Sequence, residues 1–116
     1  MQKQIDRFSD QLSITEERIY PMVTEYDWEE DVEIYRYDQE EIISLPDFDI
    51  QFNLLIEEKG TYTAADNCHP EEFAMLSREI EIQGLKVYDT AYGQYLKLDR
   101  RQFTDIILEV KTLITI

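Results

Sequence analysis

From Phe48 the chain places an apolar residue at every second position: Phe48, Ile50, Phe52, Leu54 and Ile56, with Asp47, Asp49, Gln51 and Asn53 in most of the gaps. A two-residue period belongs to a strand with one face against a core and the other in water. Burying five such side chains contributes on the order of 10 kcal/mol before chain entropy is set against it. Any fold open to this chain must therefore contain a sheet with a covered face. Glu58-Lys59-Gly60 then fits a short hairpin loop with Gly60 left-handed. That loop would set Ile56 opposite Tyr62 and Leu54 opposite Ala64, continuing the same buried face.

The flanking segments read as follows. Residues 2–20 carry Ile5, Phe8, Leu12 and Ile19 at helical spacing, and Ser13 with Glu16 forms a capping-box pattern where a helix could break and restart. Pro21 ends that segment. Residues 22–31 read as an acidic, solvated loop. Val32–Tyr37 alternates as a strand, with Tyr35 and Tyr37 on one face and Val32 and Ile34 on the other. Asp38–Glu41 reads as a turn, Ile42–Leu45 as a short strand, and Pro46 as the separator from the organising stretch. Pro70 suits the opening of a helical turn that would direct Phe73, Met75 and Leu76 inward. Ile80 and Ile82 alternate, Leu85 and Val87 continue out of phase, and Gly84 between them is the place for a bulge. Asp99 with Gln102 marks a helix start, followed by Phe103, Ile106, Ile107, Val110, Leu113 and Ile114 at 3.6-residue spacing. Ile106, Leu108, Val110, Ile114 and Ile116 also fit a strand period; the helix is the reading adopted for residues 100–114. Together these elements predict a single α+β domain over residues 1–116: an antiparallel meander of four to six strands with a helix at each end, packed on one face.

Twenty-six acidic residues against eleven basic ones give a formal charge of −15. A surface of this sign repels phosphate backbones and anionic lipid, so direct contact with nucleic acid or membrane is not expected. It suits a basic partner protein, or a mimic of nucleic-acid charge acting against such a partner. The single cysteine leaves no internal disulfide to form, and the opening M-Q-K-Q-I-D-R-F has no apolar run of signal-peptide length, so a reducing cytoplasm is expected.

Few constellations could carry chemistry. Cys68 adjoins His69, but neighbours in extended chain point to opposite sides, which does not favour a thiolate–imidazole pair. Asp66, Cys68, His69, Glu71 and Glu72 lack the ligand spacing of a zinc site or a calcium loop. Carboxylate pairs such as Glu40-Glu41 and Glu57-Glu58 are abundant, and abundance alone does not separate their pKa values for acid–base work. No cofactor is implied. Aromatic residues are the remaining signal, because Tyr and Trp anchor interfaces by burying area while keeping a polar tip. Tyr26, Trp28, Tyr35 and Tyr37 fall in one acidic stretch with Glu29, Glu30 and Asp31. These seven residues are the candidate partner-binding set, with Leu108 as an outlying apolar candidate.

The runs G-T-Y-T-A-A-D-N-C-H-P-E-E-F, R-E-I-E-I-Q-G-L-K-V-Y-D and L-K-L-D-R-R-Q-F resemble small acidic proteins of unknown function from bacteriophages and mobile elements of bacteria. The resemblance spans roughly Ile50 to Leu113 and implies a polar loop between a hairpin and an E-x-E-I-type strand, then a short terminal helix. Here the N-terminal helical segment is longer and the loops hold less Pro and Gly. The resemblance implies no activity and transfers no functional residue. The expected function is a non-enzymatic interaction domain that binds a basic protein or itself. The alternative is an enzyme using a divalent cation held by clustered surface carboxylates.

Overall fold

The computed structural model describes residues 2–63 and 72–115. The elements are α1 (Gln2–Ile14), β1 (Glu25–Glu29), β2 (Val32–Ser44), β3 (Phe48–Thr63), β4 (Glu72–Asp89), β5 (Gln94–Tyr95) and α2 (Arg100–Thr112). The strands form one antiparallel meander in the order β1-β2-β3-β4-β5, with a helix before and after it, so the α+β expectation holds. The chain packs as two compact units. One comprises Met1–Pro21, Glu40–Asn53 and Ile82–Ile116; the other comprises Met22–Gln39 and Leu54–Glu81. The strands β2, β3 and β4 contribute residues to both.

The first unit holds both helices. Phe48, Ile50 and Phe52 of β3 are buried in it, as the alternation requires, together with Phe8, Leu12, Leu85, Val87, Ile106 and Val110. Phe8 of α1 meets Phe48 edge-on, with ring centroids 5.2 Å apart at 76°, the arrangement that aligns ring edge with ring face. A polar stripe on the same helix does a second job. Gln4 donates to the Asp89 carboxylate at 2.6 Å and Arg7 at 3.0 Å. Gln11 donates to Asp47 at 2.7 Å and accepts its backbone amide at 3.0 Å. The ends of β3 and β4 are thus clamped to α1 by side chains three and four residues apart on one helix face. Asp89 is fully buried and also accepts the amides of Ala91 and Tyr92, which closes the turn after β4.

The C-terminal segment is a helix, as favoured. Asp99 accepts the Gln102 amide at 2.8 Å while Gln102 accepts the Asp99 amide at 2.9 Å, a complete capping box. Ile106, Val110 and Leu113 are buried and Leu108 is exposed. At Gly84 φ is +63°, and the buried positions of β4 switch there from Ile82 to Leu85 and Val87. The left-handed glycine absorbs the extra residue, as the out-of-phase apolar pattern predicts.

Several local expectations are overturned. No helix restarts after Ser13: α1 ends at Ile14, residues 15–18 are irregular, and Ile19 bridges to Ile114 in parallel, its amide bonded to the Leu113 carbonyl at 2.9 Å. Residues 22–31 are only partly loop: residues 22–24 are irregular, Glu25–Glu29 form β1 and residues 30–31 a tight turn. Asp38–Glu41 does not turn, and β2 runs through it, because Gln39 and Glu41 sit half-buried between exposed Asp38 and Glu40. Glu58-Lys59-Gly60 is not a hairpin loop either. The buried alternation continues through Glu58 and Gly60, and Arg78 neutralises Glu58 at 3.0 Å. Ile56 therefore faces no return strand at Tyr62, and Ala64 lies outside the described residues. Residues 74–76 continue β4 with Met75 and Leu76 exposed, not inward. Pro70 lies outside the described residues.

Asp89 generates a prediction about acid. Burial raises its carboxyl pKa, but hydrogen bonds from Gln4, Tyr92 and Ala91 and the charge of Arg7 outweigh burial and hold it below the usual carboxylate value. A depressed carboxyl stabilises fully above its unfolded value of about 4, and that stabilisation is lost as pH falls through the lower folded value. Asp89→Asn is expected to destabilise by about 2–4 kcal/mol at neutral pH. The gap to the unsubstituted protein should narrow as pH falls below about 4, measured by denaturant unfolding across pH.

Candidate functional site

The second unit carries the aromatic acidic stretch. β1 pairs with β2 in the register Glu25↔Arg36, Tyr26↔Tyr35, Asp27↔Ile34, Trp28↔Glu33 and Glu29↔Val32. The two-residue turn Glu30-Asp31 closes the hairpin, with Glu30 at φ +54°. Turns of this length need a positive φ to match strand twist, usually met by Gly or Asn. Glutamate there has no such conformational freedom, so the sequence gives no turn signal.

Two groups of side chains hold β1 in place. On one face Arg36 reaches Glu25 at 3.5 Å, Asp27 at 3.9 Å and Glu57 at 3.2 Å. Arg36 is the first cause holding the Glu57 carboxyl below its ordinary value; burial opposes it and Lys59 adds to it. On the other face Glu33 accepts the phenols of Tyr26 at 2.8 Å and Tyr35 at 3.2 Å. The two rings lie 5.1 Å apart at 49°. The bond to Glu33, with desolvation and the carboxylate's charge behind it, pushes the Tyr26 phenol up to about 12. Preceding the strand, Thr24 donates its amide to the Arg36 carbonyl at 2.9 Å, and Met22 donates its amide to Gln39 at 3.1 Å.

The outcome for the candidate set is mixed. Tyr26, Trp28, Glu29, Glu30 and Asp31 are brought together and exposed, Tyr26 by 51% and Trp28 by 65%. Tyr35 is half-buried beneath Tyr26. Tyr37 is buried, and burial followed by a hydrogen bond to Glu58 pushes its phenol up to about 12. It stands apart from the exposed group. Leu108 is exposed on α2 in the other unit. Sequence reasoning missed Glu33 and Arg36, which fix the geometry, and Met22 and Val23, which extend the exposed apolar run by two residues. The signal for Glu33 and Arg36 was cross-strand: each acts through partners brought close by the hairpin register.

An open depression of about 360 Å³ is lined by Tyr26, Trp28, Glu30, Asp31, Val32, Glu33 and Thr61. Its lining thus combines the acidic side chains of Glu30, Asp31 and Glu33 with the aromatic ones of Tyr26 and Trp28. Among the described residues, no three His, Cys, Asp or Glu side chains converge as a metal site. Cys68 and His69, with Asp66 and Glu71, lie outside the described residues. No helix among them is long and apolar enough to cross a membrane. The chain matches no protein-family model, no curated protein and no solved structure.

A left-handed non-glycine residue costs roughly 1–2 kcal/mol. Glu30→Gly is therefore expected to stabilise the protein by about 1 kcal/mol, less than the full relief because glycine also loosens the unfolded chain. A higher denaturant midpoint at unchanged slope would show it.

Proposed function

We propose that the protein is a non-catalytic interaction domain that captures a positively charged protein on the β1–β2 hairpin. The observation that carries this reading is the exposure of Tyr26 and Trp28 on an edge strand beside Glu30, Asp31 and Glu33, with Glu25, Asp27 and Glu29 on the opposite face of the same strand. Large aromatic side chains in water are poor use of apolar area unless a partner covers them. The surrounding carboxylates would steer a basic partner by long-range attraction and reject acidic ones.

The experiment immobilises the domain, identifies host proteins retained at low salt, and measures binding of each purified candidate. A true partner is expected to associate more slowly as salt rises to about 0.5 M, where screening is nearly complete. Trp28→Ala should weaken it by about 2 kcal/mol or more, roughly thirtyfold. The same substitution should leave stability within about 0.5 kcal/mol, since the side chain is exposed. A partner whose association rate ignores salt, or whose affinity ignores Trp28, overturns the reading. Displacement of the partner by DNA would identify charge mimicry as the mode.

A further inference from the structure

We infer that the partner enters as an extended segment with basic residues at alternate positions, adding an antiparallel or parallel strand to the free edge of β1. This rests on the interaction reading above and supplies its mode and its partner chemistry.

The argument begins with the edge. Among the described residues, β1 is the terminal strand of the sheet and has a neighbour only on the β2 side. A two-residue turn closes on a hydrogen-bonded pair, here Glu29↔Val32, after which bonded and non-bonded pairs alternate. Tyr26 and Trp28 therefore fall in non-bonded pairs, with amides and carbonyls directed away from β2. The Trp28 amide agrees with this: it donates to the side chain of Asp27 at 2.8 Å. One edge donor is thus covered by a carboxylate that a cation could draw aside.

Charge then selects the occupant. Glu25, Asp27 and Glu29 share one face of β1, and Tyr26 and Trp28 share the other. A second copy pairing antiparallel about Asp27 would set Asp27 opposite Asp27 and Glu25 opposite Glu29. Each of those pairs repels. Arg36 is already held by Glu25, Asp27 and Glu57, and Lys59 by Glu57, so the face keeps an excess of carboxylate. An incoming strand with Lys or Arg on that face reverses every repulsion. Its alternate residues would lie beside Tyr26 and Trp28, where apolar side chains fit.

The test uses the full chain and a capped seven-residue peptide alternating Lys and Val, with a Glu–Val counterpart. Trp28 is the only tryptophan, so its emission reports on this edge alone. Two further Lys–Val peptides carry N-methyl groups on one or the other set of alternate residues. The expected result is a blue shift of Trp28 emission with Lys–Val and none with Glu–Val. Hydrogen exchange at the Tyr26 amide should slow at least tenfold. One N-methyl set should abolish binding and the other leave it within about threefold, because only one set of peptide amides faces the edge. Equal binding of both methylated peptides, or an unprotected Tyr26 amide in the bound state, overturns strand addition. A Lys–Val peptide that leaves Trp28 emission unmoved also overturns it. None of these three outcomes touches the interaction reading, which is judged on the retained partner by salt dependence and Trp28→Ala.

Discussion

The contact between the polar stripe of α1 and two strand-end carboxylates governs the helical unit. Phe8 and Leu12 alone would press α1 onto the sheet without fixing where along it the helix lies. Gln4 and Arg7 on Asp89, and Gln11 on Asp47, set that position through directional bonds. The arrangement is demanding because Asp89 is buried without being neutral: four donors together outweigh the cost of burying its charge. Arg7 is shared further, lying over the rings of Phe48 and Tyr92 at 5.1 and 5.4 Å. One residue therefore joins the ionic clamp to the aromatic core.

Much of this architecture was legible in the residues. The two-residue period over Phe48–Ile56, the phase change at Gly84 and the Asp99–Gln102 box each appear in the structure as read, since each is a local rule whose partners lie within a few positions. The misreadings share a cause of the opposite kind. Glu58-Lys59-Gly60 and Asp38–Glu41 look like turns by composition, yet the strands continue through them. What overrides composition is a distant partner: Arg78 for Glu58, and for β2 the pairing of long neighbouring strands. Strands of 13, 16 and 18 residues exceed the usual 3–10, so ordinary spacing of turns misleads. β1 was hidden by its acidity, because five exposed residues with three carboxylates offer no buried face to detect.

Of the candidate binding set, the exposed members were recoverable and the supporting ones were not. Composition drew attention to Tyr26, Trp28 and the acidic turn. It could not separate Tyr37, which is packed away, from Tyr35, which braces Tyr26. Nor could it show that Glu33 receives two phenols or that Arg36 gathers three carboxylates, for these depend on which residues the register sets side by side. The exposed ring of Tyr26 is consequently a supported one, held by Glu33 and packed against Tyr35.

The buried Asp89 carboxylate has a consequence for the protein in acid. Its carboxyl is held below the ordinary carboxylate value, and so titrates below the isoelectric point of about 4.2. Acidification thus first cancels the mutual repulsion that keeps molecules dispersed, and next loosens the clamp that keeps α1 over Phe48. Loss of mutual repulsion therefore precedes loss of the clamp as pH falls, so the molecules meet while α1 still covers Phe48 and the apolar sheet face is uncovered only afterwards.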